Sequence, residues 1–138
     1  MVWTPLDGGA ARELNKAFIP GGAFDVSRDG RRAVWAGPQA AVSYYYCDLP
    51  ACVSVKTLPA APRSLGVIRL TPDNLGVAFI DESKTNIWLQ PFDGRPAYAL
   101  TSFRDLTLQD FDWSHDGKQL AIMRSEGRQD IVMIKGLR

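Results

Sequence analysis

A segment of about 43 residues is written three times in this 138-residue chain, and its period limits the fold more than any single residue does. The copies read FDVSRDGRRAVWAG at Phe24–Gly37, IRLTPDNLGVAFID at Ile68–Asp81 and FDWSHDGKQLAIMR at Phe111–Arg124. Their register is marked by Ser27, Thr71 and Ser114, at intervals of 44 and 43 residues. A fixed period in this range signals stacked supersecondary units, none of which buries its apolar face alone.

Within each copy the pattern is that of strands. Alternating stretches at Phe24-Asp25-Val26, Ile68-Arg69-Leu70 and Phe111-Asp112-Trp113 predict a first strand. A hydroxyl-x-Asp-Gly/Asn turn follows each, and Gly or Asn there accepts the positive φ of a tight hairpin. Short apolar runs at Ala33–Ala36, Val77–Ile80 and Leu120–Met123 predict a second strand buried on both faces. Third strands are expected at Val42–Asp48, Asn86–Gln90 and Asp130–Lys135, and fourth strands at Val53–Leu58 and Tyr98–Thr101. Four antiparallel strands per period make the blade of a β-propeller.

The opening residues fit the same phase. Pro5-Leu6-Asp7-Gly8 lies 86 residues, two periods, before Pro91-Phe92-Asp93-Gly94. The expected architecture is therefore all-β, a partial β-propeller of about three four-stranded antiparallel blades. Residues 1–20 form the back half of a blade, 21–63 and 64–106 are full blades, and 107–138 supply three strands of a last one.

These residues resemble the TolB-like, WD-type propeller repeat, whose signature runs F-x-W-S-P-D-G-K-x-L-A-F. Phe111 to Ile122 match it nearly throughout, with His115 in place of proline; Ile87-Trp88-Leu89-Gln90-Pro91-Phe92-Asp93-Gly94 and Leu100-Thr101 match the following hairpin and strand. The resemblance implies the C-terminal propeller portion of a multidomain bacterial sensor, kinase or regulator, and a non-catalytic binding or scaffold module for protein–protein contact or ligand sensing. Two alternatives accompany it: the gating propeller of a prolyl-oligopeptidase-type hydrolase, and an inactive gene fragment. No G-x-S-x-G nucleophile elbow supports the hydrolase.

Three blades are few for a closed ring. The expected partner is thus another protein or the remaining blades, with self-association through exposed blade faces as a further route. With 16 basic and 15 acidic residues the chain has no field to draw a phosphate backbone, so nucleic acid is not an expected partner. Its apolar runs are strand-sized, so this segment is not expected to enter a membrane. The opening MVWTPLDGG lacks the basic and apolar regions of a signal peptide. No cofactor is expected.

Cys47 and Cys52 frame a hairpin tip, where a disulfide and two free, half-buried thiols are both open readings. A disulfide suits a periplasmic or other extracytoplasmic setting, which is slightly favoured over the cytoplasm. Asp25, Arg69 and Asp112 share one position in successive first strands and are candidates for a binding rim at the central channel; local salt bridges between blades are the plainer account. Tyr44, Tyr45 and Tyr46 are candidates for the same rim, since alternation turns one ring away from its neighbours. Trp3, Trp35, Trp88 and Trp113 read as packing between blades. His115 and the aspartates Asp29, Asp73 and Asp116 read as turn residues, not as catalytic or metal-binding groups.

Overall fold

The computed structural model describes residues 2–13, 23–37, 43–58, 64–105, 107–125 and 129–135. The part of the expected third strand at Val42, and the blade limits drawn near residues 20, 63, 106 and 138, lie at or outside these segments. The described residues form four antiparallel sheets and no helix. A two-stranded sheet pairs β1 (Val2–Trp3) with β2 (Arg12–Glu13). The first four-stranded sheet orders β3 (Phe24–Val26), β4 (Arg32–Ala36), β5 (Tyr44–Asp48) and β6 (Lys56–Thr57). The second orders β7 (Ser64–Leu70), β8 (Gly76–Asp81), β9 (Ile87–Pro91) and β10 (Tyr98–Ala99). The third has β11 (Thr107–Trp113), β12 (Gln119–Ser125) and β13 (Gln129–Lys135). Every strand pairs with its sequence neighbour, which is the meander of a propeller blade.

The repeated turn owes its shape to its side chains. Ser27 Oγ donates to Asp29 Oδ1 at 2.6 Å and accepts the Arg31 and Arg32 amides at 3.1 and 2.8 Å. Thr71 Oγ1 donates to Asp73 Oδ1 at 2.6 Å and accepts the Leu75 and Gly76 amides at 3.1 and 2.9 Å. Ser114 Oγ donates to Asp116 Oδ1 at 2.6 Å and accepts the Gln119 amide at 2.9 Å. The residue that reverses the chain has φ of 68° at Gly30, 60° at Asn74 and 71° at Gly117, so asparagine replaces glycine without changing the turn.

Side chains of successive residues in the second strand of each blade go to different interfaces. Val34, Tyr44 and Tyr46 of the first sheet pack against Ile68, Leu70, Val77 and Phe79 of the second. Ala78, Ile80 and Ile87 of the second pack against Phe111, Leu120 and Ile122 of the third. Ala33, Trp35, Cys47, Leu49 and Cys52 make a third cluster on the front of the first sheet. The core is thus a set of slabs between sheets, and burial on both faces explains why Ala33–Ala36 in β4 and Val77–Ile80 in β8 are runs of apolar residues with no polar alternation.

The three tyrosines alternate between the two faces of β5. Tyr44 and Tyr46 alternate onto the Val34 face and are buried there, with Tyr44 against Phe79 at 5.2 Å and Tyr46 stacked on Phe92 at 4.4 Å. Tyr45 turns to the opposite face and stacks on Trp35 at 6.1 Å. All three rings serve packing, because a strand between two neighbours has an apolar slab on each side. Trp35 is buried, and Trp88 and Trp113 pack against the two inter-sheet clusters; the side chain of Trp3 lies outside the described ones.

Candidate functional site

The inner strands β3, β7 and β11 lie side by side, so equivalent residues converge. Asp25, Arg69 and Asp112 line one cleft of about 220 Å³, whose walls also include Ser27, Arg28, Thr71, Pro72 and Trp113. Tyr44, Tyr45 and Tyr46 are not among its lining residues.

Each of the three charged positions reaches the neighbouring blade. The Leu70 amide donates to Asp25 Oδ2 at 2.7 Å. Arg69 Nη2 donates to Asp110 Oδ1 at 3.1 Å, and its Nε stands 3.9 Å from Asp112 Oδ1. Asp25 sits deepest. Burial raises its carboxyl above the ordinary value, against the amides of Leu70 and Val26 and the charge of Arg69, while Asp112 adds to the rise. The Asp112 side chain is 69% exposed and presents the most open carboxylate of the wall. The cleft is therefore a graded acidic surface, with one half-buried carboxyl, one exposed carboxylate and a guanidinium between them.

Arg28 closes one side of this cleft. Its guanidinium donates to the carbonyls of Trp113, Ser114 and His115 at 2.6, 2.5 and 2.6 Å, and so ties the first turn to the third across the second blade. The first and second turns are joined as well. Asn74 Nδ2 donates to Asp29 Oδ2 at 3.0 Å, and Arg32 Nη1 donates to the Asn74 carbonyl at 2.8 Å. Arg32 also holds Asp48 through Nε and Nη2 at 2.9 and 2.7 Å and lies over the rings of Tyr46 and Phe92. These arginines were not singled out in the sequence, because the repeat does not keep them: Pro72 and His115 stand where Arg28 does, and Gly76 and Gln119 where Arg32 does. A basic residue at a repeat position that its siblings leave uncharged is the signal that would have marked them.

Cys47 and Cys52 are joined by a disulfide, with Cα atoms 5.1 Å apart, and both are buried at the tip of the β5–β6 hairpin. Arg12 of the two-stranded sheet donates to the Pro50 carbonyl inside that loop at 2.7 Å. His115 is exposed on its turn. Among the described residues no cluster of three or more His, Cys, Asp or Glu is placed to hold a metal ion, and no helix is long and apolar enough to cross a membrane.

No protein-family model matches the chain, and no curated protein matches it in sequence. Solved structures do. A TolB protein from Agrobacterium tumefaciens superposes with a TM-score of 0.73 at 17% identity over 97% of this chain and 52% of its own. TolB from Acinetobacter baumannii gives 0.70 at 21% identity over 94% of this chain and 33% of its own. A chain of the nidogen–laminin complex gives 0.64 at 14% identity, over 95% of this chain and 54% of its own. The hydrazine synthase of Kuenenia stuttgartiensis matches more distantly, at 0.57. The chain thus spans about half the length of the first of these structures and a third of the second. Blade order, repeated turn and superposition agree, and the chain has the fold of consecutive blades of a TolB-like β-propeller.

Proposed function

We propose that this chain is a non-catalytic binding and scaffold module of a larger bacterial protein, which holds a protein segment at the cleft over its inner strands. Its blades divide as 1–20, 21–63, 64–106 and 107–138. The observation that carries the reading is the convergence of Asp25, Arg69 and Asp112, one from each repeat, on a single cleft. Arg69 is engaged with its acidic neighbours and Asp25 with a backbone amide, while Asp112 accepts the Trp113 amide through Oδ1 at 2.7 Å and remains the exposed carboxylate of the three. Such an arrangement suits recognition of a basic side chain on a partner segment, on loops and edges held by rigid sheets. The nidogen–laminin neighbour is itself a propeller-like chain seen in a complex of two proteins, which supports a protein as the partner class.

An array of short peptides with and without a central lysine or arginine tests this on the purified chain. Basic peptides bind, Asp112→Asn weakens them about tenfold or more, and added salt weakens them further. Binding that is indifferent to Asp112→Asn and to the basic residue would sink the reading.

A further inference from the structure

We propose that the partner segment held at the cleft continues outward into a second recess on the same two turns. There an aliphatic side chain of the segment seats between Leu75 and the Cys47–Cys52 loop. This inference rests on the peptide-binding reading of the cleft, and adds a second subsite with its own chemistry.

The two recesses have contiguous walls. In the first blade, residues 25–28 line the cleft, and residues 29, 31 and 32 line a groove of about 590 Å³. In the second blade, residues 69–72 line the cleft and residues 73–75 line the groove. On each turn the groove begins at the residue after the one where the cleft ends, so a chain leaving one enters the other. Asp48, Leu49 and Pro50 make the remaining wall, on the loop between β5 and β6. A recess of this size accepts a large side chain with some of its backbone.

The groove is also where the chain departs from its own repeat. Leu75 stands where the other copies have Arg31 and Lys118. It is 67% exposed, so the blade gains little packing from an apolar residue there. The facing loop departs as well. Pro5-Leu6-Asp7-Gly8 and Pro91-Phe92-Asp93-Gly94 show the usual joint between third and fourth strands, whereas the first blade has Asp48-Leu49-Pro50-Ala51 between two bonded cysteines. The repeated turn forms with a basic residue at Arg31 and Lys118, so the fold itself does not call for the leucine. Together the two departures line one groove with Leu75, Pro50 and the buried Leu49. The disulfide fixes that wall in advance, which lowers the ordering cost of binding.

The polar groups suit an extended backbone. Among the described residues the hydrogen bonds to Asp48 and Asp73 fall on Oδ1, which leaves each a second oxygen to accept a peptide amide. The Asp48 side chain is 63% exposed. Arg31, exposed on the same groove, has the donors for a peptide carbonyl. The aspartates carry the acidic character of the cleft outward, which complements a segment with a basic residue.

Fluorescence anisotropy on the 138-residue chain tests the proposal with labelled glycine–serine peptides. Each peptide carries a lysine, a leucine, both, or neither, with spacers of about two to six residues at about 3.3 Å each. The best lysine–leucine peptide is expected to bind about tenfold or more tightly than the lysine peptide. Leu75→Gln removes that gain and leaves the lysine peptide unchanged, while Asp112→Asn weakens both. A gain that survives Leu75→Gln overturns the second subsite. So does the absence of a gain at every spacing while the lysine peptide still binds through Asp112, and the cleft reading then stands. Leucine-dependent binding that is lost in Leu75→Gln but indifferent to lysine and to Asp112→Asn keeps the groove and overturns the cleft. No binding by any peptide overturns both.

Discussion

Arg28 and Trp113 are 85 residues apart in sequence, yet the Arg28 guanidinium donates to the Trp113 carbonyl at 2.6 Å. With its bonds to Ser114 and His115 it ties the first blade to the third on one side chain. A planar fork with five donors meets several carbonyls at once in a way that a lysine ammonium does not. Arg28→Gln is therefore expected to lower unfolding stability by about 1–3 kcal/mol, and Arg28→Lys to recover only part of that. Chemical denaturation of the three proteins checks the order. Equal midpoints for all three would mean that the strap carries no load.

The hydroxyls of the repeated turn each satisfy backbone amides at the start of the second strand. Thr71 is buried, and Thr71→Ala leaves the Gly76 amide short of an acceptor in a place water does not readily reach, while the Leu75 amide keeps its bond to Asp73 Oδ1. A loss of about 1–3 kcal/mol is expected for it, and a smaller loss for Ser114→Ala on its more open turn. Thermal midpoints of the two variants give the comparison.

Gly117 and Gly94 separate strain from collision. Both have positive φ, 71° and 87°, but a Cβ at Gly117 would lie 2.7 Å from Pro72 Cβ, while one at Gly94 meets nothing within 4 Å. Gly94→Ala thus has only the backbone penalty of about 1–2 kcal/mol. Gly117→Ala must also push the second and third turns apart. The larger drop in denaturation midpoint belongs to Gly117→Ala, and its loss should shrink when Pro72→Ala is added.

Acid dependence has two opposed contributions. The carboxyls of Asp29 and Asp116 are held below their ordinary value, first by the Ser27 and Ser114 hydroxyls and then by the Arg31 and Lys118 amides. A lowered carboxyl gives stability that is present above its ordinary value of 3.8 and is lost as pH falls through the lowered one. Asp25 has the opposite sign. Its raised carboxyl favours the fold below 3.8, and that contribution is lost as pH rises through the raised value. Urea midpoints taken between about pH 2 and pH 7 should show a shallower acid limb in Asp29→Asn. Asp25→Asn, which keeps an oxygen for the Leu70 amide, should match or exceed the wild type near neutral pH.

Reduction of Cys47–Cys52 is expected to cost about 2 kcal/mol, the size expected for so short a loop, while leaving the strand spectrum in place. Thiol titration of the unfolded, unreduced protein should find no free cysteine. Two free thiols with unchanged stability would contradict it.

Much of this architecture is readable in the chain because the repeat compares each element with two others. Phe24–Val26 is a strand as the alternation predicts, and the apolar runs at Ala33 and Val77 lie in second strands buried on both faces, whereas the run at Leu120 is buried on one face only, with Met123 exposed on the other. Alternation also places Asp25, Arg69 and Asp112 on one side of the inner strands. It fails to place the tyrosines, since period two says which rings share a face but not whether another sheet covers it. Nor does it find Arg28, whose partners are backbone carbonyls that leave no trace in residue type. The inner strands β7 and β11 also begin earlier than their apolar cores, at Ser64 and Thr107, with a register shift in each pair. Such irregularities depend on what the neighbouring strand does.

The division of labour along β8 has a consequence for the order in which the molecule comes apart. Val77 and Phe79 belong to one slab, and Ala78 and Ile80 to the other, so neighbours in sequence answer to different sheets. The central strand cannot open until both slabs release it, while β3 and β13 can fray by losing one. Amide hydrogen exchange should therefore be slowest in the middle of the chain and fall off toward both ends, a gradient set by blade position and not by local hydrogen bonding. A substitution at Phe79 would loosen the first sheet, and one at Ile80 the third, giving two distinct patterns of early exchange from adjacent residues.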